Sequence, residues 1–186
     1  KFMSAYPITP SSEIMEYMVK YAPAEGGVIL QTEDEISACT MAIGAAHAGA
    51  RAFTATAGPG LSLMAEAIGL AEMTETPLVV IDTQRGGPST GLPTKHEQSD
   101  LMAAIYNTHG DTAKIVISPS SIEESFYDTF EAFNLAEEYQ CPVIVLSDLQ
   151  LSLGKQSVTS LDYGKLQVRR GKLVRDGLPE IKLPEY

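Results

Sequence analysis

Short apolar runs alternate with longer helix-forming stretches through most of the chain. Most of these runs are apolar at every position, which is typical of strands buried on both faces of a parallel sheet. The predicted strands are Phe2–Ala5, Val28–Gln31, Ala52–Thr56, Leu78–Thr83, Ile115–Ser118 and Val143–Ser147, and the predicted helices are Ser12–Tyr21, Asp34–Ala48, Leu61–Glu75, Gln98–Tyr106 and Ile122–Tyr139. Strict alternation predicts a doubly wound α/β domain, with a mostly parallel sheet of about six strands and helices on both faces, but it leaves the strand order open.

The alternation stops near residue 152 and divides the chain into two parts. Residues 1–152 are predicted to form the α/β domain, whereas residues 153–186, which include several basic residues and two prolines, are predicted to form an irregular extension. Because Lys1 runs directly into a predicted strand, we expect an N-terminus truncated from a longer polypeptide. We also expect a further C-terminal domain after the extension.

Several helix starts carry residues that favour capping. Capping boxes of the form S/T-x-x-E are formed by Thr32 with Glu35, Thr94 with Glu97, and Ser121 with Glu124. Thr9 precedes Pro10 and is a candidate N-cap, because proline is favoured at the first position of a helix. Capping alone would account for both Thr9 and Glu35, so a catalytic role for either residue has to be weighed against it.

Composition narrows the possible partners and the cellular location. The chain has 186 residues, of which 13 are Lys or Arg and 24 are Asp or Glu, giving a net charge of −11. An acidic surface repels nucleic acids and anionic lipids, so we expect neither as a partner. The two cysteines, Cys39 and Cys141, lie far apart in apolar runs and are predicted to be buried free thiols without a bound metal. No apolar run is long enough to span a membrane, and we expect a cytoplasmic protein.

Polar or glycine-rich segments follow four of the predicted strands. They are Tyr6-Pro7-Ile8-Thr9-Pro10 after the first strand, Gln31-Thr32-Glu33-Asp34-Glu35 after the second, Ala57-Gly58-Pro59-Gly60 after the third and Gln84-Arg85-Gly86-Gly87 after the fourth. Ligands of open parallel sheets bind beyond the carboxyl ends of the strands. We therefore predict that these segments share one cleft.

The loop after the fourth predicted strand is unusually long, and such loops are commonly functional. Arg85 at its start can hold a carboxylate through a bidentate fork, but it can also be a solvated loop arginine, and the residues alone leave both roles open. Lys95 and His96 lie farther along the same loop. Gly58-Pro59-Gly60 is first of all a turn between strand and helix, yet it would also let backbone N–H groups approach a ligand closely.

Four segments together resemble one protein family. YPITPSSE from Tyr6, EDEISA from Glu33, ATAGPGLSLMAEAIGLAEMTETP from Ala55 and QRGGPSTGLPTKHEQSDL from Gln84 are similar to the 2-oxoacid:ferredoxin oxidoreductases. The resemblance is to the pyrimidine-binding domain of their thiamine-diphosphate-dependent alpha subunit, is closest to the 2-oxoglutarate type, and extends from Phe2 to about Ser152.

The resemblance implies roles for individual residues. Glu35 would be the catalytic residue that activates thiamine diphosphate through its pyrimidine ring. The substrate-binding residues implied are Thr9, Arg85 and Lys95, and those implied to bind the cofactor, with Glu35, are Tyr6, Pro7, Ile8, Gly58, Pro59 and Gly60. The implied reaction is the coenzyme A-dependent oxidative decarboxylation of a 2-oxo acid, with 2-oxoglutarate favoured and the electrons passed to ferredoxin.

The resemblance also implies that the active site is incomplete. The family holds the diphosphate and its magnesium with a GDG motif, but Asp176-Gly177 follows Arg175 and departs from that pattern. We therefore expect a beta subunit that binds the diphosphate and magnesium, iron–sulfur clusters in partner subunits, and no activity from this chain alone. Two alternatives remain: a non-catalytic ligand-binding or assembly module, and another thiamine-diphosphate enzyme of the decarboxylase or transketolase kind.

Overall fold

The structure, a computed structural model, describes residues 1–174. Its strands are β1 (Phe2–Ala5), β2 (Val28–Gln31), β3 (Ala52–Thr56), β4 (Leu78–Gln84), β5 (Ile115–Ile117) and β6 (Pro142–Asp148). Its α-helices are α1 (Ser12–Tyr21), α2 (Glu35–His47), α3 (Gly58–Leu63), α4 (Ala65–Met73), α5 (Leu101–Tyr106), α6 (Ile122–Tyr139) and α7 (Leu149–Leu153), with 3-10 turns at Ala22–Glu25 and Tyr163–Lys165.

The strands form one parallel sheet in the order β2-β1-β3-β4-β6-β5. The register pairs Ala5 of β1 with Gln31 of β2, and Gln84 of β4 with Asp148 of β6. The carboxyl ends of these strands therefore meet at one edge of the sheet. The predicted α/β class with helices on both faces is confirmed.

Each face of the sheet carries its own hydrophobic core. Successive side chains of a strand point to opposite faces, so Leu78 and Val80 of β4 pack on one side while Val79 and Ile81 pack on the other. Helices α2 to α5 cover the first face and α1 and α6 cover the second. The central strands β3 and β4 are buried along their whole length, as their apolar sequences predict.

The first three strands and the helices α1 and α6 have the predicted bounds. The single helix predicted over Leu61–Glu75 is wrong, because α3 begins earlier, at Gly58, and a break at Met64 separates it from α4. Pro59 lies in the first turn of α3, where its missing N–H group is tolerated. Helix α5 begins at Leu101 instead of Gln98.

Only part of the predicted capping is present. Ser121 is the N-cap of α6 and accepts a hydrogen bond of 3.1 Å from the Glu124 N–H, as predicted. The N-cap of α2 is Asp34 instead of the predicted Thr32: Asp34 Oδ1 accepts a hydrogen bond from the Ser37 N–H at 2.7 Å. The box of Thr94 with Glu97 is also wrong, since both residues lie in the loop before α5. The N-cap of α1 is Ser11 instead of Thr9.

The segment after α7 is irregular but returns to the domain. The Arg51 guanidinium donates to Glu137 of α6 at 2.9 Å and to the Arg169 carbonyl at 2.7 Å, and the Arg169 N–H donates to the Asn134 side chain at 3.0 Å. Helix α7 crosses the domain boundary predicted at residue 152. The sequence position Asp176-Gly177 lies outside the described residues.

Cys39 and Cys141 are free and buried, as predicted. Burial raises the pKa of the Cys39 thiol to about 12. A search of residues 1–174 finds no helix with the length and apolar character needed to cross a membrane.

Candidate functional site

The four polar segments singled out in the sequence follow β1, β2, β3 and β4, which are neighbours in the sheet. All four strands run in the same direction, so their carboxyl ends lie side by side. The Thr32 N–H donates to the Ala5 carbonyl at 3.0 Å, which ties the end of β2 to the end of β1. The topology thus assembles one site from segments separated in sequence.

Glu35 is the first residue of α2, and its side chain lies against the turn that follows β3. It is 6% exposed. A Cβ built on Gly60 would lie 3.0 Å from Glu35 Oε1 and 1.9 Å from Thr56 Oγ1. Glycine at position 60 therefore leaves the space that this carboxylate fills.

Glu35 has no part in capping its helix, because Asp34 performs that function. No side-chain hydrogen bond to the Glu35 carboxylate is present among residues 1–174. A nearly buried carboxylate without a protein donor needs a proton, a water molecule or a ligand to satisfy it. Its position is suited to a hydrogen bond with a ligand at the sheet edge.

Gly58-Pro59-Gly60 forms the first turn of α3 directly after β3. Ala57 is the N-cap, and its carbonyl accepts hydrogen bonds from the Gly60 and Leu61 N–H groups at 2.8 and 3.0 Å. The side of this turn that Glu35 contacts carries no side chain at Gly60. The turn can therefore pack directly against the Glu35 side chain.

Arg85 joins the loop after β4 to the segment after β1. Its side chain donates to the Thr9 carbonyl and, at 2.9 Å, to the Thr90 carbonyl. Arg85 is 6% exposed, and its Nε is buried without a hydrogen-bond partner within the described chain. The guanidinium is thus held next to Thr9, in the orientation that backbone carbonyls impose, and one of its donors remains unused.

The loop of residues 85–100 is folded on itself. Gly86 forms an isolated antiparallel bridge with Leu92, and its N–H donates to the Lys95 carbonyl at 2.8 Å. The backbone of Lys95 is thereby fixed beside Gly86, while its side chain is exposed. His96 points elsewhere, with its Nδ1 3.6 Å from Asp148 Oδ1.

The segment after β1 is a compact turn. The Ile8 carbonyl accepts from the Ser12 N–H and from the Ser11 hydroxyl, both at 3.0 Å, and this fixes the path of Pro7 and Ile8 into α1. Tyr6 and Thr9 are exposed. Tyr6, Pro7 and Ile8 therefore lie at the same sheet edge as Gly58, Pro59 and Gly60.

Two carboxyl groups next to each other were missed in the sequence. Asp82 of β4 is completely buried, and Asp100, the residue before α5, is half-buried with its Oδ2 shielded from solvent. Burial, followed by the charge and hydrogen bond of Asp100, raises the pKa of Asp82 well above its ordinary value. The signal available was an acidic residue directly after the apolar run Leu78–Ile81 and still inside the predicted strand Leu78–Thr83. Within the described residues, no group of three or more His, Cys, Asp or Glu side chains is arranged to hold a metal ion.

Comparison with known proteins is consistent with this geometry. Residues 1–180 match the family model described as "Pyruvate flavodoxin/ferredoxin oxidoreductase, thiamine diP-bdg". The chain therefore belongs to this family of thiamine-diphosphate-binding oxidoreductase domains. The resemblance inferred from the four motifs is confirmed.

Several of its relatives are named as subunits of 2-oxoglutarate oxidoreductases. The chain is 49% identical to the 2-oxoglutarate synthase subunit KorA of Methanothermobacter thermautotrophicus, over 97% of this chain and 51% of that protein. It is 44% identical to the 2-oxoglutarate oxidoreductase subunit KorA of Mycobacterium tuberculosis, over 95% of this chain and 27% of that protein.

A solved structure shares the fold. The 2-oxoglutarate:ferredoxin oxidoreductase of Magnetococcus marinus, with 2-oxoglutarate, coenzyme A and succinyl-CoA bound, superimposes with a TM-score of 0.92 at 47% identity. The match covers 96% of this chain and 31% of that one. The present chain thus spans about half or less of the length of these relatives.

Proposed function

We propose that this chain supplies the pyrimidine side of a thiamine-diphosphate site in a 2-oxoglutarate:ferredoxin oxidoreductase. The reaction is the coenzyme A-dependent oxidative decarboxylation of 2-oxoglutarate, with electrons passed to ferredoxin. One observation carries the proposal: the buried Glu35 carboxylate lies against Gly60 at the carboxyl edge of the sheet, with no donor from the described residues.

The residues present fit the cofactor. Gly60 has no Cβ where one would meet Glu35 and Thr56, so the Glu35 carboxylate can lie directly against the turn at the sheet edge. Glu35 would hold a ring nitrogen of the pyrimidine by a hydrogen bond, and Gly58, Pro59 and Gly60 with Tyr6, Pro7 and Ile8 would line the ring's surroundings. Thiamine diphosphate, when bound, supplies the carbon nucleophile and accepts the electron pair released by decarboxylation. The role of Glu35 is to keep a proton at that ring nitrogen.

Thr9 and Arg85 are suited to bind the substrate. The Arg85 side chain is fixed between the carbonyls of Thr9 and Thr90, and its buried Nε is unused within the described chain. A fixed guanidinium at this edge favours a carboxylate. Lys95, held by its backbone beside Gly86, is the candidate for the second carboxylate that distinguishes 2-oxoglutarate from pyruvate.

The remaining parts belong to partners in this proposal. The sequence has no GDG motif, so a beta subunit would hold the diphosphate and magnesium. Iron–sulfur clusters would also lie in partner subunits, since this chain contains two cysteines. The resulting active site would be formed at the interface between alpha and beta subunits.

Glu35→Gln tests the catalytic assignment in the reconstituted alpha–beta complex. Because an amide cannot supply the same proton, we expect kcat to fall by about a hundredfold or more while the complex still assembles. The matched control is Glu33→Gln, which changes an exposed carboxylate two residues away. Activity of Glu35→Gln within a few-fold of the control would refute the proposal and favour a non-catalytic module.

Lys95→Ala tests the substrate assignment. We expect the KM for 2-oxoglutarate to rise about tenfold, the equivalent of about 1.4 kcal/mol, while the KM for pyruvate is unchanged. Lys20→Ala, an exposed lysine at the end of α1, is the control. An equal change in KM for both substrates would show that Lys95 does not distinguish 2-oxoglutarate from pyruvate.

The second candidate is another thiamine-diphosphate enzyme of the decarboxylase or transketolase kind. Such an enzyme would turn over a 2-oxo acid without coenzyme A or an electron acceptor. Omitting both from the assay of the alpha–beta complex separates the two, because the proposed reaction stops when either is absent.

A further inference from the structure

A pair of carboxyl groups lies beneath the turn that Glu35 contacts. Asp82 is completely buried in β4, where the register places it between Thr56 of β3 and Leu146 of β6. Neither of its oxygens receives a hydrogen bond from an N–H or hydroxyl group of the described residues. Asp100 Oδ2 is likewise buried without a donor from the described residues, and the Asp100 N–H donates to Gln84, two residues along β4 from Asp82. The two carboxyl groups are therefore neighbours. A fully ionised Asp82 would therefore be a buried charge facing another charge, which is strongly unfavourable.

A hydrogen bond between two carboxyl groups requires that one of them carries a proton. Burial and Asp100 both raise the pKa of Asp82. The pKa of Asp100 is also raised, mainly by burial and further by the charge of Glu97. Its hydrogen bond with Asp82 and the Arg85 guanidinium act in the opposite direction. The arrangement is thus a protonated Asp82 that donates to the Asp100 carboxylate, with Glu97 and Arg85 as the charged neighbours of the pair.

Asp100 connects this proton to the turn above it. A Cβ built on Gly58 would lie 2.7 Å from Asp100 Oδ2, so the carboxylate directly supports the first residue of α3. The Asp100 N–H donates to Gln84 Oε1 at 2.9 Å, and its carbonyl accepts from the Ala104 N–H at 2.7 Å. The Asp100 backbone is therefore held at both its N–H and its carbonyl, with the carboxylate between Asp82 and Gly58.

We propose that Asp82 and Asp100 are positioning residues, a carboxyl pair that shares one proton and holds the Gly58-Pro59-Gly60 turn in place beside Glu35. The expected effect on thiamine diphosphate binding rests on the function proposed above. The proton shared by Asp82 and Asp100 does not depend on that function. Removal of the proton would place two negative charges under the turn and displace it.

The proton is tested by infrared spectroscopy of the intact alpha–beta complex. We expect the carbonyl absorption of a protonated carboxylic acid at pH 7 in the wild type and in Glu33→Gln, and its loss in Asp82→Asn. An absorption of equal intensity in Asp82→Asn would overturn the proposal. This measurement needs no turnover, so it stands even if Glu35→Gln retains activity and the proposed function fails.

The positioning role is tested by titrating the same complexes with thiamine diphosphate across pH. In the wild type and in Glu33→Gln we expect affinity to fall by up to about tenfold per pH unit once the pair loses its proton. Asp82→Asn keeps a neutral donor to Asp100 and should bind with wild-type affinity at neutral pH and without that decline. Asp82→Leu removes the donor and should bind about tenfold more weakly at neutral pH. A decline in Asp82→Asn identical to that of the wild type would overturn the role, even if Asp82→Leu does not fold.

Discussion

The missing Cβ of Gly60 is as important to this site as the carboxylate it faces. A methyl group at position 60 would lie 1.9 Å from Thr56 Oγ1 and 2.8 Å from Glu35 Cγ. Both neighbours are buried, and Thr56 is fixed in the centre of the sheet. Glu35 can therefore occupy its position only because residue 60 has no side chain.

Gly60→Ala is expected to displace Glu35. Overpacking a buried position destabilises proteins by about 1–3 kcal/mol, and the carboxylate is the neighbour that can move most easily toward solvent. We expect at least tenfold weaker binding of thiamine diphosphate by the alpha–beta complex, measured by titration, together with lower stability in urea.

Gly69→Ala is the control for the same change in a helix. A Cβ at position 69 would meet only Thr108 Cγ2, at 3.9 Å, and alanine in the interior of a helix is favoured over glycine by about 0.5–1 kcal/mol. This variant should be slightly more stable and bind normally. Equal behaviour of the two variants would contradict the contact between Gly60 and Glu35.

The types of residue in the sequence were enough to select the candidate site residues. They did not predict which other residues would contact them. Glu35 fitted both a capping box and a catalytic role, and the choice depended on Asp34 occupying the N-cap. Arg85 fitted both a solvated loop and a carboxylate site, whereas it is buried between the carbonyls of Thr9 and Thr90. Those contacts join segments far apart in sequence, and local patterns carry no information about them.

At the scale of elements, boundaries followed from the sequence wherever local chemistry fixes them. Strands β1, β2 and β3 end where apolar runs give way to polar residues or glycine. The break between α3 and α4 at Met64 has no such signal, because Met64 is an apolar, helix-favouring residue whose side chain is fully buried. Tertiary packing of α3 against the site decides this boundary.

A cluster of charges fastens the segment after α7 to the domain. Glu137 is 5% exposed, and its two oxygens lie 2.8 Å from Arg51 and 2.7 Å from Arg170. Glu138, the next residue, forms an ion pair with one cation of the described chain, Arg169, and is more exposed. The two neighbouring glutamates thus differ in burial and in the number of cations they hold.

Glu137→Gln is expected to destabilise the chain more than Glu138→Gln. Loss of the buried charge leaves two guanidinium groups facing a neutral amide, and we expect a decrease of about 1–3 kcal/mol in the free energy of unfolding. Glu138→Gln removes a surface contact that water can replace, so its effect should be small. Urea denaturation of the full-length chain measures both, and equal effects would contradict the asymmetry.

At the scale of the whole molecule, the site depends on a strand order that the sequence left open. Alternation of strands and helices fits many doubly wound sheets, because connection lengths do not specify which strands pair. The order β2-β1-β3-β4 makes neighbours of the four strands whose ends carry the motifs. The motifs lie at one edge of the sheet because they all follow strands, and parallel strands bring such segments together; that they share one cleft stays a prediction.

The ion pairs of Arg169 and Arg170 predict the order in which trypsin cleaves the described part of the chain after Lys155, Arg169 and Arg170. Residues 154–160 are exposed, whereas the Arg169 and Arg170 side chains are held by Glu131, Glu137 and Glu138. Because proteolysis requires a locally unfolded segment, trypsin should cut after Lys155 faster than after Arg169 or Arg170. Mass spectrometry of a brief digest measures the order of cleavage.

Arg51→Ala removes the donor that holds both Glu137 and the Arg169 carbonyl, and it should selectively accelerate cleavage after Arg169 and Arg170 while leaving the rate at Lys155 unchanged. Lys20→Ala, which changes an exposed lysine outside this cluster, should alter neither rate. First cleavage at Arg169 in the unmodified chain would show that the cluster does not hold the segment in solution. If the cluster holds, Arg169 stays fixed near the amino end of β3, at the opposite end of the strands from the carboxyl edge where Glu35 lies.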